Sequence, residues 1–565
     1  MFVPHRVTCL AALALAAVFS GCSEDAAKPA SKDVAVADTV DDAAGTTDAA
    51  TATDTDATAG SDTSAPKFPP VLAAATGDLN FAVAKNRWYR GDLHFHTNHS
   101  EDAFEQGGNW MKTALQVADA YRHPIFAQKY PDLAGNALDY IAVTDHRDDK
   151  CLTDPDFKHD HLILLPGEEF GGSGHAGIWG FKAHIDHEPP GTVNKNQRIQ
   201  DAVDEAHAQG ALFSPNHPAQ DNPWVYDVKG YDGMEVWNGP WSAFYGPIDE
   251  AEVEGRAAGI GVENPYIRQA VLDAAGTGCN GQGLRMWQNM LSDGYHTAIV
   301  GGSDHHMLVP PGLPTTYAQL PDDPTFTGKV GKEVGQPGIL AAIKSRATFV
   351  SRSPFSAQID LTAKDSSGKV YPMGAALPYP GTYTIAIDVS RAKNGQLRLY
   401  AGKVGKVAGK ISNKFDFRWP DPALVHEEAL TADRMKGNWT WTVPEGGGWL
   451  HAIVLERRID GEIPADKQEL VASFDKLPKG KAIADMILAF TKLVDFNLVI
   501  EPESCDPEQW TDWSGNCMPF DDDAWGTFYI PERVVKLMST WFEDGKPTEW
   551  ALGAITSAFL SAPPK

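Results

Sequence analysis

The sequence predicts an α/β fold followed by a small β-sandwich. Between residues 86 and 353, short apolar runs alternate with segments of helical periodicity, the pattern of an α/β parallel sheet or barrel. After Pro354 the texture changes to alternating strand patterns broken by Gly- and Asp-rich turns. All of the 18 histidines except His5, His426 and His451 fall within the first of these regions. At 565 residues the chain exceeds what one core holds, so several domains are expected.

The N-terminal stretch "MFVPHRVTCLAALALAAVFSGC" carries Arg6, then an apolar run from Val7 to Phe19 that is too short to span a bilayer. It reads as a secretory signal over 1–22, and "FSGC" resembles a bacterial lipobox, which makes Cys22 the lipidated residue. Ser23 after it resembles lipoproteins sent to the outer membrane, so an exported protein at the outer membrane, periplasm or cell surface is expected, held to the membrane by its lipid. Residues 23–80 are dominated by Ala, Asp, Thr, Ser and Gly, too poor in apolar surface to offset ordering entropy, and predict a disordered tether. The net charge of -27 and the lack of a basic run argue against nucleic acid as a partner.

In the 86–353 region the candidate strands are "ALDYIAVTD", "HLILLPGEE", "HAGIWGF", "GALFSPNH", "YDGMEVWN" and "HTAIVGGSD". Helical periodicity marks "NQRIQDAVDEAHAQG", "LRMWQNMLSDG" and "QPGILAAIKSRA". Residues 354–462 predict the β-sandwich. Residues 463–565 predict a helical and irregular region, with helices at "IADMILAFTKLV", "PERVVKLMSTWF" and "EWALGAITSAFL". Cys151, Cys279, Cys505 and Cys517 lie outside the leader; an oxidising setting favours disulfides among them, Cys505 with Cys517 first.

Imidazoles and carboxylates recur at the C-terminal ends of the predicted strands. His94 and His96 follow the first, Asp145 and His146 close "IAVTDH", Glu168 and Glu169 close "LILLPGEE", His217 follows in "SPNHP", and Asp304 and His306 lie in "GGSDHH". In a barrel of parallel strands that face gathers side chains from separate strands into one site. Neutral imidazole and carboxylate bind zinc, iron or manganese, and a carboxylate between two ions can bridge them. The expected chemistry is hydrolysis by a metal-bound hydroxide. No Ser or Cys nucleophile motif competes.

"GDLHFHT", "VTDH", "PGEEF", "NHP" and "GGSDHH" resemble the ordered motifs of the PHP (polymerase and histidinol phosphatase) superfamily of metal-dependent phosphoesterases. "YDGMEVWNGPW", "WQNMLSDG", "GLPTTY" and "AAIKSRATFVSRSP" resemble its CehA/McbA-like branch, which includes a carbaryl hydrolase. The resemblance covers about half the chain and implies a distorted (β/α)7 barrel, up to three divalent ions and a small-molecule ester substrate. It implies His94, His96 and Asp304 at the first ion, Glu169 bridging to a second ion with His175 and His217, and Asp102, His146 and His306 at a third. Glu101 competes with Asp102, Glu168 with Glu169, and His305 with His306. Spacing favours Asp304 with His306, since i, i+2 side chains at a strand end share a face.

Asp92 and Asp145 are expected to orient ligands by hydrogen bonds, Asp145 alternatively to satisfy backbone donors. His99 is read as an acid, a substrate contact or an exposed loop residue. His184, His187, Arg147 and Arg346 are candidate substrate contacts or surface residues, and Trp237 and Trp241 pocket walls or core.

Overall fold

The computed structural model describes residues 73–74, 88–100, 103, 111–119, 138–171, 174–185, 195–220, 222–239, 247–275, 277–306, 311–320, 335–354, 356–408, 417–457, 509–511, 517–519 and 550–564. The leader, Cys22 and most of the tether lie outside them. The apolar runs of the first region form β1 (Trp88–Asp92), β2 (Tyr140–His146), β3 (Ile163–Phe170), β4 (Ala176–Trp179), β5 (Leu212–Pro215), β6 (Gly233–Asn238), β7 (Ala298–Gly302), β8 (Thr315–Gln319) and β9 (Thr348–Ser351). The helices are α1 (Met111–Ala118), α2 (Lys195–Gln209), α3 (Glu250–Ile260), α4 (Pro265–Asp273), α5 (Cys279–Ser292) and α6 (Gly335–Lys344). Each of the expected strands and helices of this region is present.

Local chemistry sets several boundaries. The Asp249 side chain caps α3, with Glu252 returning a bond to the cap backbone, and Gly261 ends the helix at φ 73°. Asn264 caps α4, and Pro265 takes the first helical position, where its missing N–H costs nothing.

β1, β2 and β3 pair in parallel, with Gly91 opposite Tyr140 and Thr144 opposite Gly167. Beyond β3 the direction reverses: β4 is antiparallel to β3, and β5 to β4. On the other side β8 is antiparallel to β1 and β9 to β8. β6 and β7 form a separate parallel pair. The fold class is therefore α/β with a mixed sheet, and the described residues form no closed hydrogen-bonded barrel. The departure from all-parallel order has a cause in chain length. Only residues 171–175 separate β3 from β4, turning through Gly171 at φ 113° and Gly174 at φ 117°, whereas a parallel crossover needs about a dozen residues. The β6–β7 pair is tied in by bonds outside the ladders: Asp232 N–H donates to Phe213 O at 2.9 Å, and Asp304 N–H to His94 O at 2.9 Å.

The second region holds β10 (Gln358–Lys364), β11 (Val370–Tyr371), β12 (Thr382–Ser390), β13 (Gln396–Lys403), β14 (Ala423–Ala429), β15 (Arg434–Thr442) and β16 (Gly448–Arg457), and near the C-terminus come β17 (Trp550–Thr556) and β18 (Phe559–Ser561). One sheet runs β15-β12-β10-β11, with Ala73–Ala74 along β15. The other runs β14-β13-β16-β17 and continues through β9 and β8 into the first region. Leu361, Ile385 and Trp441 from one sheet and Leu399, Val454 and Ala554 from the other share one core, as in a sandwich.

"EWALGAITSAFL" is strand where helix was expected. A short apolar run cannot be assigned from periodicity, and here pairing to β9 and β16 decides it. The expected helices "IADMILAFTKLV" and "PERVVKLMSTWF" lie outside the described residues. Cys151 and Cys279 are buried free thiols, which corrects the disulfide expectation for them, and Cys505 lies outside the described residues.

Candidate metal centre

Past the end of β1 the chain bends at Leu93, which packs with Tyr140 and Ala142, while Phe95 packs in the separate cluster of Ile141 and Val143, and the His94 and His96 rings lie 5.1 Å apart. Burying each of these two apolar side chains contributes about 1.5–3 kcal/mol, which anchors the chain on either side of His94. Glu169 closes β3, opposite His146 on β2 and Gly177 on β4. Because β4 is antiparallel, its N-terminal end carries His175 to the edge where the parallel strands end. His217 follows β5 at φ 23°, and Asp304 follows β7 at φ 51°.

Two carboxylates organise the imidazoles. Glu169 Oε1 lies 3.1 Å from His94 Nε2, 3.1 Å from His175 Nδ1 and 3.2 Å from His217 Nε2, and Oε2 lies 2.8 Å from His146 Nδ1 and 3.6 Å from His96 Nε2. Asp304 Oδ1 lies 3.2 Å from both His94 Nε2 and His96 Nε2, and 3.4 Å from His306 Nδ1. Four overlapping sets could each hold a metal ion: His94, His96 and Asp304; His94, Glu169 and His217; His146, Glu169 and His175; and His96, His146 and His306. All eight residues are those singled out in the sequence.

The donor set fits a cation. Burial opposes ionisation of Glu169, but the surrounding His175, His94 and His146 outweigh it and hold the carboxyl well below its usual range. Asp304 is likewise held down by His94, His96 and His306 against its burial. Burial, with His306 and His146 beside it, lowers His96 to about 3, and burial also lowers His175. His96 is thus neutral and both carboxylates ionised at pH 7, the protonation state that ligation requires. His94 differs: burial lowers it, but Asp304, Glu169 and Glu235 outweigh burial and raise it. Its Nε2 sits between two carboxylate oxygens with hydrogen-bond geometry to neither. Acceptors converging in this way need a proton or a metal ion between them, and metal binding here would release a proton.

Hydrogen bonds fix the rings. His96 Nδ1 contacts Ser100 Oγ at 2.8 Å, and Ser100 Oγ donates to Asp145 at 2.9 Å, so Asp145 acts on His96 through a hydroxyl. Asp145 also accepts the Thr97 backbone N–H at 2.6 Å. Asp92 accepts backbone N–H groups from His94 at 3.1 Å, Ser303 at 2.9 Å and Gly312 at 2.7 Å. It therefore positions His94 through the main chain, not through the ring, and burial raises its carboxyl to about 6.

The sequence reading missed Glu235, Asn216 and Asn238. Asn216 donates to Glu169 Oε1 at 3.0 Å, and Asn238 lies 3.3 Å from Asp304 Oδ2. The available signal was a carboxylate in the apolar strand "GMEVWN".

Glu168 points to the other face of β3, where Oε2 meets His184 Nδ1 at 3.0 Å, and His305 stacks on Phe95 at 4.7 Å, so neither joins the cluster. His99 is held at 2.7 Å by Asp154. Arg147 is exposed, with its backbone N–H on Glu169 O at 2.9 Å. Arg346 binds Gly374 O at 3.1 Å, away from the cluster, and Trp237 belongs to the core. Glu101, Asp102, His187 and Trp241 lie outside the described residues. A half-exposed group, Asp119, His159 and His161, also gathers possible ligands. There His159 Nδ1 accepts the His161 and Leu162 backbone N–H groups, which puts its proton on Nε2 and leaves a hydrogen-bonded cluster.

No family model matches the chain, and no curated protein matches it. Among solved structures, the crystal structure of PsfC from Pseudomonas syringae PB-5123 is similar over 42% of this chain and 84% of its own, at 13% identity and a TM-score of 0.24. A likeness at that score carries no argument about fold or function.

Proposed function

We propose that the chain is an exported metal-dependent hydrolase that cleaves a small-molecule phosphoric ester. The observation that carries this reading is the sharing of Glu169 and Asp304 among six buried or half-buried imidazoles drawn from separate strand ends. Two or three ions, zinc, manganese or iron, would supply Lewis acidity to activate water and to stabilise charge added in the transition state. His94, His96 and Asp304 would hold the first, and Glu169 would bridge to a second bound by His175 and His217. His146 and His306 would hold a third, completed by Asp102. Asn216 and Asn238 keep the carboxylates oriented, and Ser100 with Asp145 keeps the Nε2 lone pair of His96 available.

The PHP-type (β/α)7 barrel belongs to the same proposal. Its support is the motif order together with the meeting of the β1 and β7 extensions, where Phe95 bridges His305 in parallel. Lipid anchoring at Cys22 rests on the leader alone, and the acidic charge of -27 disfavours nucleic acid as substrate.

Metal analysis of protein lacking residues 1–66, followed by aryl phosphate, phosphodiester and aryl carbamate substrates with added zinc or manganese, tests the reading. Phosphate ester turnover is expected, and turnover of carbamate alone would move the assignment to acyl transfer. The His94→Ala/His96→Ala protein should lose metal and activity while residues 354–457 stay folded by circular dichroism. Full activity in that protein ends the proposal.

A further inference from the structure

We propose that Glu235 is a positioning residue of this centre, holding the His94 proton on Nδ1 so that the Nε2 lone pair is directed between Glu169 and Asp304. The inference rests on the metallohydrolase reading and extends it to a residue outside the ligand set. Glu235 lies in the middle of β6, a strand that contributes no candidate ligand, and is 2% exposed. A carboxylate buried in an apolar strand is costly unless its oxygens are occupied. Its Oε1 is 3.1 Å from His94 Nδ1, and Oε2 accepts the His217 backbone N–H at 2.8 Å and lies 3.3 Å from Asn238 Nδ2.

These contacts reach three parts of the cluster at once. A neutral imidazole has one ring proton, and an obligate acceptor beside Nδ1 places it there. The bond to His217 holds that residue at φ 23°. Asn238 links Glu235 to Asp304 Oδ2, and its own backbone is clasped from both sides by the Asn280 amide at 3.2 and 3.1 Å.

The packing around the pair is built for it. A Cβ at Gly302 would lie 2.3 Å from His94 Cβ and 2.9 Å from Glu235 Oε1, so only bare backbone lets ring and carboxylate meet.

The test uses zinc titration of the chelated full chain, and the histidine 15N spectrum of the zinc-loaded wild type. Glu235→Gln should weaken zinc binding 10- to 100-fold, because a Gln amide can donate to Nδ1 and favour the wrong tautomer. Glu235→Asp, which keeps the charge, should recover part of that loss. The wild-type spectrum should show His94 protonated at Nδ1. Zinc affinity within twofold of wild type in Glu235→Gln, or a proton on Nε2 of His94, overturns the role. Should Glu235→Gln not fold, the wild-type spectrum decides. Zinc bound by wild type and lost in His94→Ala but kept in Glu235→Gln defeats the Glu235 role alone. A wild type that binds no zinc, and no manganese or iron when these are titrated in its place, defeats the metallohydrolase reading and this inference with it.

Discussion

At Asp304 and His217 the backbone enters the positive-φ region, which costs on the order of 1–3 kcal/mol for a residue with a side chain. Both are held there by bonds from the site itself, Asp304 N–H to His94 O and His217 N–H to Glu235. Strain and candidate ligation coincide because each residue must turn off a strand end and aim its side chain back across the sheet. Two other histidines carry a consequence for pH. Burial lowers His451, stacked on Tyr400 and Trp449, to about 3. Burial, then the Arg346 charge, lowers His296 to about 3. A histidine depressed in the folded state leaves the unfolded chain to bind the proton alone between about pH 6.5 and 3. Stability present above that window is lost as pH falls through it, by roughly 1.4 kcal/mol per unit for each group. Urea denaturation at pH 5 and pH 7 should therefore give a smaller difference for His451→Gln than for wild type.

Among the described elements, β17 joins the sheets of the two regions by pairing with a strand of each. It lies between β9 and β16, with Phe349 opposite Thr556 on one side and Ile453 opposite Ile555 on the other. The turn after it adds Ser557 N–H to Thr348 O at 2.9 Å, and His296 Nε2 contacts Ala558 O at 2.8 Å. Removing residues 550–561 would leave two strand edges unpaired, and such edges template association between chains. The truncated protein should aggregate on size-exclusion chromatography. A monomeric product that melts at the wild-type temperature would mean that β17 is dispensable to the joint.

Over the whole molecule, a cation would relieve a buried cluster in which the carboxylates of Glu169 and Asp304 converge on the imidazoles around them. Zinc or manganese added to chelated protein should raise the melting temperature, by mass action worth about 4 kcal/mol at a thousandfold excess over Kd. Differential scanning fluorimetry should find that response in wild type and not in His94→Ala/His96→Ala. The strands of the first region were legible in the chain because alternation is a local property, and the strand-end motifs with their PHP resemblance named eight residues that the structure gathers into one cluster. His94 and His96 could be placed on one face from their i, i+2 spacing alone. What local pattern cannot carry is pairing across long separations. Strand direction after β3, the role of β17, the choice of Glu169 over Glu168, and Glu235 beneath His94 each depend on which segment lies alongside. Those were decided by the tertiary structure, since a buried carboxylate takes its meaning from groups more than a hundred residues away, as Glu235 does from His94.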